Sequence, residues 1–276
     1  MTVLEVLTAA AGYLEKRDVE SPRLNAEHLL AHVLGKKRLD LYLEFDRPLS
    51  EAERMPLRDL IRRRGERIPL QHILGTAEFF GRSFLCDHRA LVPRPETEQL
   101  IELVLPAKPR RILDVGAGSG VIAITLAQEL VEAEVHAIDL SPAALALTRE
   151  NVARHTVEGR VTLHEGDLLP REDGSFDLIV ANLPYIASAD MAELQKEVQF
   201  DPASALDGGE DGLDLVRRLI TDAPRHLAPG GLMALEIGHD QAARVADLFA
   251  QAGYEQIAIA KDYQGVERFV TARRTG

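Results

Sequence analysis

From Arg111 to Thr271 the chain alternates short apolar runs with helix-length segments, and the first run leads straight into Gly116-Ala117-Gly118-Ser119-Gly120. A strand that ends in glycines and opens a helix calls for a parallel neighbour, because a crossover of that length returns the chain to the same edge of the sheet. The candidate strands are Arg111–Asp114, Val135–Asp139, Val161–His164, Phe176–Val180, Leu232–Glu236, Gln256–Ala260 and Arg268–Thr271. Too few residues separate the last two for a helix, so the final strand is expected to run antiparallel. This is an α/β reading, with the chemistry expected in loops at the carboxyl ends of the strands.

The chain before that region has a different rhythm. Leu4, Leu7, Ala11 and Leu14 recur at spacings of three and four, as on one face of a helix. Ser21-Pro22 offers an N-cap followed by proline at the first helical position, and Ala26, Leu29, Leu30, Val33 and Leu34 form a second stripe ending at Gly35. A third helix is predicted from Ser50, with Ser50 and Glu53 as a capping box and Leu57, Leu60 and Ile61 as its apolar face; Pro56 is awkward inside it. Residues 1–70 therefore read as a small helical bundle. Residues 71–92, around Phe79-Phe80-Gly81, read as a β-hairpin linker, and Pro93-Arg94-Pro95 stiffens the entry to a catalytic domain over 93–276.

Composition narrows the classes of function. Hydrophobic residues make up 46% of the 276, enough for a sizeable core. A formal net charge of −12 disfavours a wide nucleic-acid surface, and the two basic runs, Lys36-Lys37-Arg38 and Arg62-Arg63-Arg64, read as solvated helix ends. The single cysteine, Cys86, can form neither an internal disulfide nor a multi-cysteine metal site; a reducing, cytoplasmic location and no metal are expected. No apolar run approaches the ~20 residues of a membrane span.

The glycine loop is G-x-G-x-G, not the G-x-G-x-x-G of dinucleotide sites, and Asp114 precedes it. That combination favours S-adenosylmethionine, whose cationic amino end an acidic residue can receive directly or through water. Asp139, ending the second strand, can accept hydrogen bonds from both ribose hydroxyls; its plainer alternative is an acid at the start of the following helix. Asp167 is placed to take the adenine amino group, with Leu168 covering the ring.

Asn182-Leu183-Pro184-Tyr185 follows the fourth strand and so lies beside that cofactor site. An amide or aniline-like nitrogen is a poor nucleophile because its lone pair is delocalised. If the Asn182 side-chain oxygen and the Leu183 carbonyl accept its two N–H bonds, the lone pair turns toward a methyl donor. Pro184 would stiffen the loop and Tyr185 would wall the planar group. An ordinary Asn-x-Pro turn is the plainer alternative.

With these residues in place, the chain resembles the PrmC/HemK family, the N5-glutamine methyltransferases of class I peptide-chain release factors. The likeness covers nearly the whole chain and includes Leu24–Leu30, Glu78-Phe79-Phe80-Gly81, Val92-Pro93-Arg94-Pro95-Glu96-Thr97-Glu98, Ala205–Gly209, Glu236-Ile237-Gly238 and Gly265-Val266-Glu267-Arg268. The resemblance implies a seven-stranded, Rossmann-like class I methyltransferase sheet behind a small helical domain that helps receive the release factor, and the glutamine of a Gly-Gly-Gln tip as substrate. It also implies that Gly116, Ala117, Gly118, Ser119, Gly120, Asp139, Leu168 and Asn182 bind S-adenosylmethionine, and that Asn182, Leu183, Pro184 and Tyr185 bind glutamine. Arg94 and Glu96 fall near the cofactor in such folds. The family usually has Asn-Pro-Pro-Tyr, so Leu183 is a departure that keeps the carbonyl but loses proline's rigidity. An RNA or DNA adenine N6-methyltransferase is the alternative, disfavoured by the acidic balance and the leading helical domain; a non-catalytic cofactor-binding scaffold is a third. The expected partner is the release factor, with no direct nucleic acid and a monomeric enzyme.

Overall fold

A computed structural model describes residues 1–171 and 174–276, which divide into two units. The first comprises Met1–Thr76 together with the short segment Gln195–Phe200. Its helices are α1 (Val3–Glu15), α2 (Pro22–Leu34), α3 (Glu51–Gly65) and α4 (Leu70–Leu74). The buried stripe of α1 is Val3, Val6, Leu7, Ala10 and Leu14, whereas Leu4 is exposed. Leu7 and Leu14 fit both this face and the one read from the sequence, and burial of valines at 3 and 6 rotates the face toward them.

Two helix starts behave differently. Ser50 caps α3 as expected: its hydroxyl accepts from Glu53 N, and Glu53 accepts in turn from Ser50 N at 2.8 Å, a reciprocal box that holds the Glu53 carboxyl down at about 2. The helix runs on through Pro56. Ser21 occupies the N-cap of α2 with no side-chain cap bond and in a left-handed backbone (φ +48); instead the Asn25 amide donates to the Glu20 and Ser21 carbonyls. Arg64 departs from the solvated-end reading. It is 5% exposed, donates to Asn25 Oδ1 at 2.8 Å, and with Arg67 pairs with Glu197 of the returning segment.

The second unit spans Ala77–Leu194 and Asp201–Gly276. The hairpin β1 (Thr76–Phe79) and β2 (Arg82–Leu85) turns through Phe80 and Gly81, both at positive φ, the twist that two-residue hairpin loops require. There follow α5 (Pro95–Val104), β3 (Arg111–Val115), α6 (Val121–Glu129), β4 (Glu134–Asp139), α7 (Pro142–Arg154), β5 (Val161–Glu165), β6 (Phe176–Asn182), α8 (Asp214–Asp222), β7 (Leu227–Glu236), α9 (Ala242–Gln251), β8 (Glu255–Lys261) and β9 (Glu267–Arg273). The sheet order is β5-β4-β3-β6-β7-β9-β8, and β9 runs antiparallel to both its neighbours, as the short connection requires.

The central strands are buried on both faces, which is why they read as continuous apolar runs. Successive residues still part company. Leu178 and Val180 of β6 join the core under α5 and α6, while Ile179 and Ala181 join the core under α8 and α9. Among the described residues no helix is long and apolar enough to cross a membrane.

The reciprocal box predicts that Ser50→Ala destabilises the protein by about 0.5–2 kcal/mol, the usual cost of losing such a cap. Urea unfolding of the variant against the parent measures it; an unchanged midpoint would show that the α3 start is held by packing alone.

Candidate active site

Because β6 returns to the opposite side of β3 from β4, the carboxyl ends of β3 and β6 diverge and leave a crevice at the point where strand order reverses. A cavity of about 380 Å³ opens there, within the ~300–1,000 Å³ of small-molecule sites. Its lining includes Gly116, Ala117, Gly118, Ser119, Asp139, Asp167, Leu168, Asn182, Leu183 and Pro184. Gly120 and Tyr185 lie outside the lining.

The glycine loop is shaped by close contacts. Gly116 takes φ +73, and a Cβ there would meet Leu183 Cδ2 at 3.0 Å, so the residue that departs from the usual motif packs against the loop itself. Gly120, at φ +82, heads α6, and a Cβ would strike Thr148 Cγ2 at 2.6 Å; its role is to let α7 approach rather than to touch a ligand. Gly118 N donates to Asp139 Oδ2 at 2.9 Å, and Thr148 Oγ1 donates to the Gly118 carbonyl at 2.8 Å. Asn151, fully buried, donates to the Ser119 carbonyl at 2.9 Å and bridges to Leu85. Thr148 and Asn151 escaped the sequence reading because nothing local marks a helix residue as the brace of a distant loop.

The three acids differ in environment. Asp139 sits in the lining and also accepts from Ser141 N at 2.8 Å, while Ser141 itself caps α7. Its carboxylate thus ties the glycine loop to the next helix while keeping an edge on the cavity. Asp167 is in the lining too, half exposed and paired with Arg218 at 2.5 Å. Leu168 beside it holds a left-handed backbone (φ +64), a strained state for a branched side chain and of the kind that gathers at binding sites.

Asp114 corrects an expectation. It is 0% exposed and does not line the cavity; one oxygen accepts from Ala123 N at 3.0 Å and the other has no partner. Direct capture of a ligand's amino group is therefore not on offer, because the carboxyl is buried behind the lining against the first turn of α6; only the water-bridged form of the expectation stands. Burial, against that hydrogen bond and with the Asp139 charge nearby, pushes Asp114 up to about 7.

Asn182 lines the cavity with its amide held from behind. Asn182 Nδ2 donates to Thr97 Oγ1 at 3.1 Å, and the amide lies beside the buried Glu236 carboxyl, whose charge it favours. Thr97 and Glu236 were missed as single residues, although both fall in motifs that carried the resemblance. Arg94 lines the cavity and pairs with Asp201 at 3.4 Å; Asp201 also accepts from Val92 N. Tyr185 is half-buried, its carbonyl accepting from Gln241 Nε2 at 2.9 Å. Burial and then Glu236 push its hydroxyl upward.

The PrmC N-terminal domain matches residues 5–75 and the methyltransferase small domain matches residues 95–206. A release factor glutamine methyltransferase of Geobacter sulfurreducens is 44% identical over 99% of this chain and 96% of its own length. One of Deinococcus radiodurans is 43% identical, with all of both chains covered. The chain belongs to the release factor glutamine methyltransferase family. A Pyrococcus furiosus methyltransferase structure, 19% identical, covering 72% of this chain and 91% of its own with a TM-score of 0.56, shares the fold. The family's helical N-terminal domain thus corresponds to the first unit, and the cavity lies within the second.

Because the folded state favours protonated Asp114, the stability this gives is complete below its unfolded value and fades as pH rises through about 7. Asp114→Asn, neutral throughout, should gain stability relative to the parent between about pH 5 and about pH 8. Urea unfolding at both pH values tests this, and a constant gap would mean that Asp114 is ionised in the fold.

Proposed function

We propose that this chain transfers a methyl group from S-adenosylmethionine to the side-chain N5 of the glutamine in the Gly-Gly-Gln motif of class I peptide chain release factors. The observation that carries the reading is Asn182: its Nδ2 is held by Thr97 Oγ1 at 3.1 Å, leaving Oδ1 to serve the cavity that the glycine loop lines. The relatives' names supply the identity of the acceptor.

The cavity suits the cofactor. The bare Cα of Gly116, the Asp139 carboxylate and the Leu168 side chain give close backbone approach, an acceptor for hydroxyls and an apolar cover for a ring. On this reading Gly116, Ala117, Gly118, Ser119, Asp139, Asp167 and Leu168 supply the affinity for S-adenosylmethionine, Asn182 borders it while serving the acceptor, and Gly120 acts by shaping the loop. When bound, the cofactor supplies an electrophilic methyl on a sulfonium.

The protein's task is to aim the acceptor. Asn182 Oδ1 and the Leu183 carbonyl accept the glutamine's two N–H bonds, which fixes the amide plane and turns the nitrogen lone pair toward the donor. Pro184 keeps the two acceptors in register. No base acts before transfer, because the nitrogen becomes acidic only once it has gained the methyl; its proton leaves afterwards. Tyr185 supports the loop from outside the lining. The helical unit receives the release factor, and the enzyme works as a cytoplasmic monomer without direct nucleic-acid contact.

The deciding experiment incubates the protein with labelled S-adenosylmethionine and, in parallel, intact release factor, its tip-glutamine mutant and ribosomal RNA. Label is expected on the intact factor alone; label on the mutant, or only on RNA, sinks the assignment. Asn182→Ala should keep cofactor binding by calorimetry and lose most turnover, and undiminished turnover would remove Asn182 from the mechanism. Asp139→Ala should weaken cofactor affinity by about 1.5–3 kcal/mol, the scale of hydrogen bonds to a charged group; unchanged affinity would confine Asp139 to bracing the loop.

A further inference from the structure

Behind Asn182 lies a buried polar group that the transfer chemistry does not use. Asn182 and Glu236 are paired neighbours at the ends of β6 and β7, so their side chains leave the sheet on the same face. Thr97, in the first turns of α5, meets them there. Glu236 and Thr97 are each 3% exposed, and neither is on an isolated polar island: the Thr97 hydroxyl and the Asn182 amide are the polar groups beside the Glu236 carboxyl that favour its charge, while Glu236 Oε2 has no partner.

The donor and acceptor inventory of this triangle has one self-consistent solution when Glu236 is ionised. A carboxylate only accepts, so the Thr97 hydroxyl proton and an Asn182 N–H both point at it. The Thr97 oxygen, its proton committed, then accepts the other bond from Asn182 Nδ2. An asparagine amide turned the other way would set Oδ1 against a buried carboxylate, with no water to screen the repulsion.

Resting on the glutamine-methyltransferase reading above, we propose that Glu236, acting with Thr97, is a positioning residue that locks the Asn182 amide with its nitrogen inward and its oxygen toward the acceptor. The lock depends on charge. Burial holds the Glu236 carboxyl up at about 7, with the Thr97 bond and the Arg268 charge pulling down and Glu96 pushing up. Arg268 reaches the group from β9 with Asp262 3.5 Å from its Nε, Glu96 lies on α5, and the Tyr185 hydroxyl senses the same charge. Once protonated, Glu236 can donate as well as accept, and the amide is free to flip. Turnover should therefore rise with pH through about 7 while cofactor affinity stays level.

Glu236→Gln tests this with almost no change in shape, since a glutamine offers a donor and an acceptor and imposes no single orientation. Turnover on release factor is expected to fall by about tenfold to a hundredfold, the scale on which misaimed groups lose rate. Cofactor affinity by calorimetry should hold, and the rising pH limb should disappear. A second readout is independent of turnover: the Asn182 side-chain amide resonance, identified by its loss in Asn182→Ala, should shift with pH in the parent and stay fixed in Glu236→Gln. Should Glu236→Gln not fold, Thr97→Val against Thr97→Ser decides, the serine keeping turnover and the valine losing it. A parent resonance blind to pH overturns the proposal, as does parental turnover in Glu236→Gln or equal turnover in the Thr97 pair. A parent that leaves release factor unmethylated refutes the proposed function instead, and the resonance still decides the role of Glu236.

Discussion

Everything at the site follows from the parallel pairing of β3 with β6, in which Val115 sits opposite Ala181. The residues just beyond that pair are Gly116 on one strand and Asn182 on the other, so one register fixes the glycine loop beside the Asn182–Tyr185 loop. A slip of one residue would turn both strands over and exchange the faces on which their side chains lie. The alternation of Leu178 and Val180 against Ile179 and Ala181 makes that slip costly, because each set fills a different core. Hydrophobic packing thereby sets the geometry of a polar reaction.

Leu183 extends the same logic to the loop. It is 4% exposed, belongs to the core under α8 and α9, and its Cδ2 lies where a side chain on Gly116 would go. On the proposed mechanism the position is therefore constrained twice, by the carbonyl it presents to the acceptor and by the apolar wall it gives the glycine turn. Proline offers the first with more rigidity and less apolar bulk. Leucine offers the second, and Pro184 continues to restrain the backbone that follows.

What could be read from the chain alone was whatever is periodic or contiguous. Strand positions, the antiparallel last strand, the capping box at Ser50 and the lining run from Gly116 to Ser119 all repeat or adjoin, so a local pattern states them. Non-local polar partners are another matter. Asn25 holds Arg64 across 39 positions and Asn182 holds Thr97 across 85, and no spacing rule connects residues so far apart. Asp114 was misplaced for a related reason: its position after a strand fits a ligand contact, but which neighbour claims its oxygens depends on how α6 packs. The turn of the α1 face onto Val3 and Val6 belongs with these, since two helix faces one residue apart are almost equally apolar.

Two buried carboxyls, Asp114 and Glu236, flank the site, and both are pushed up to about 7 by burial. Hydrophobic replacements would relieve that cost, so their presence needs a role that apolar side chains cannot fill. Asp114 satisfies a helix N–H behind the glycine loop. Glu236 lies beside the Asn182 amide and the Thr97 hydroxyl. In each case a carboxyl buried one layer beneath the cavity sits among polar groups of the layer above it.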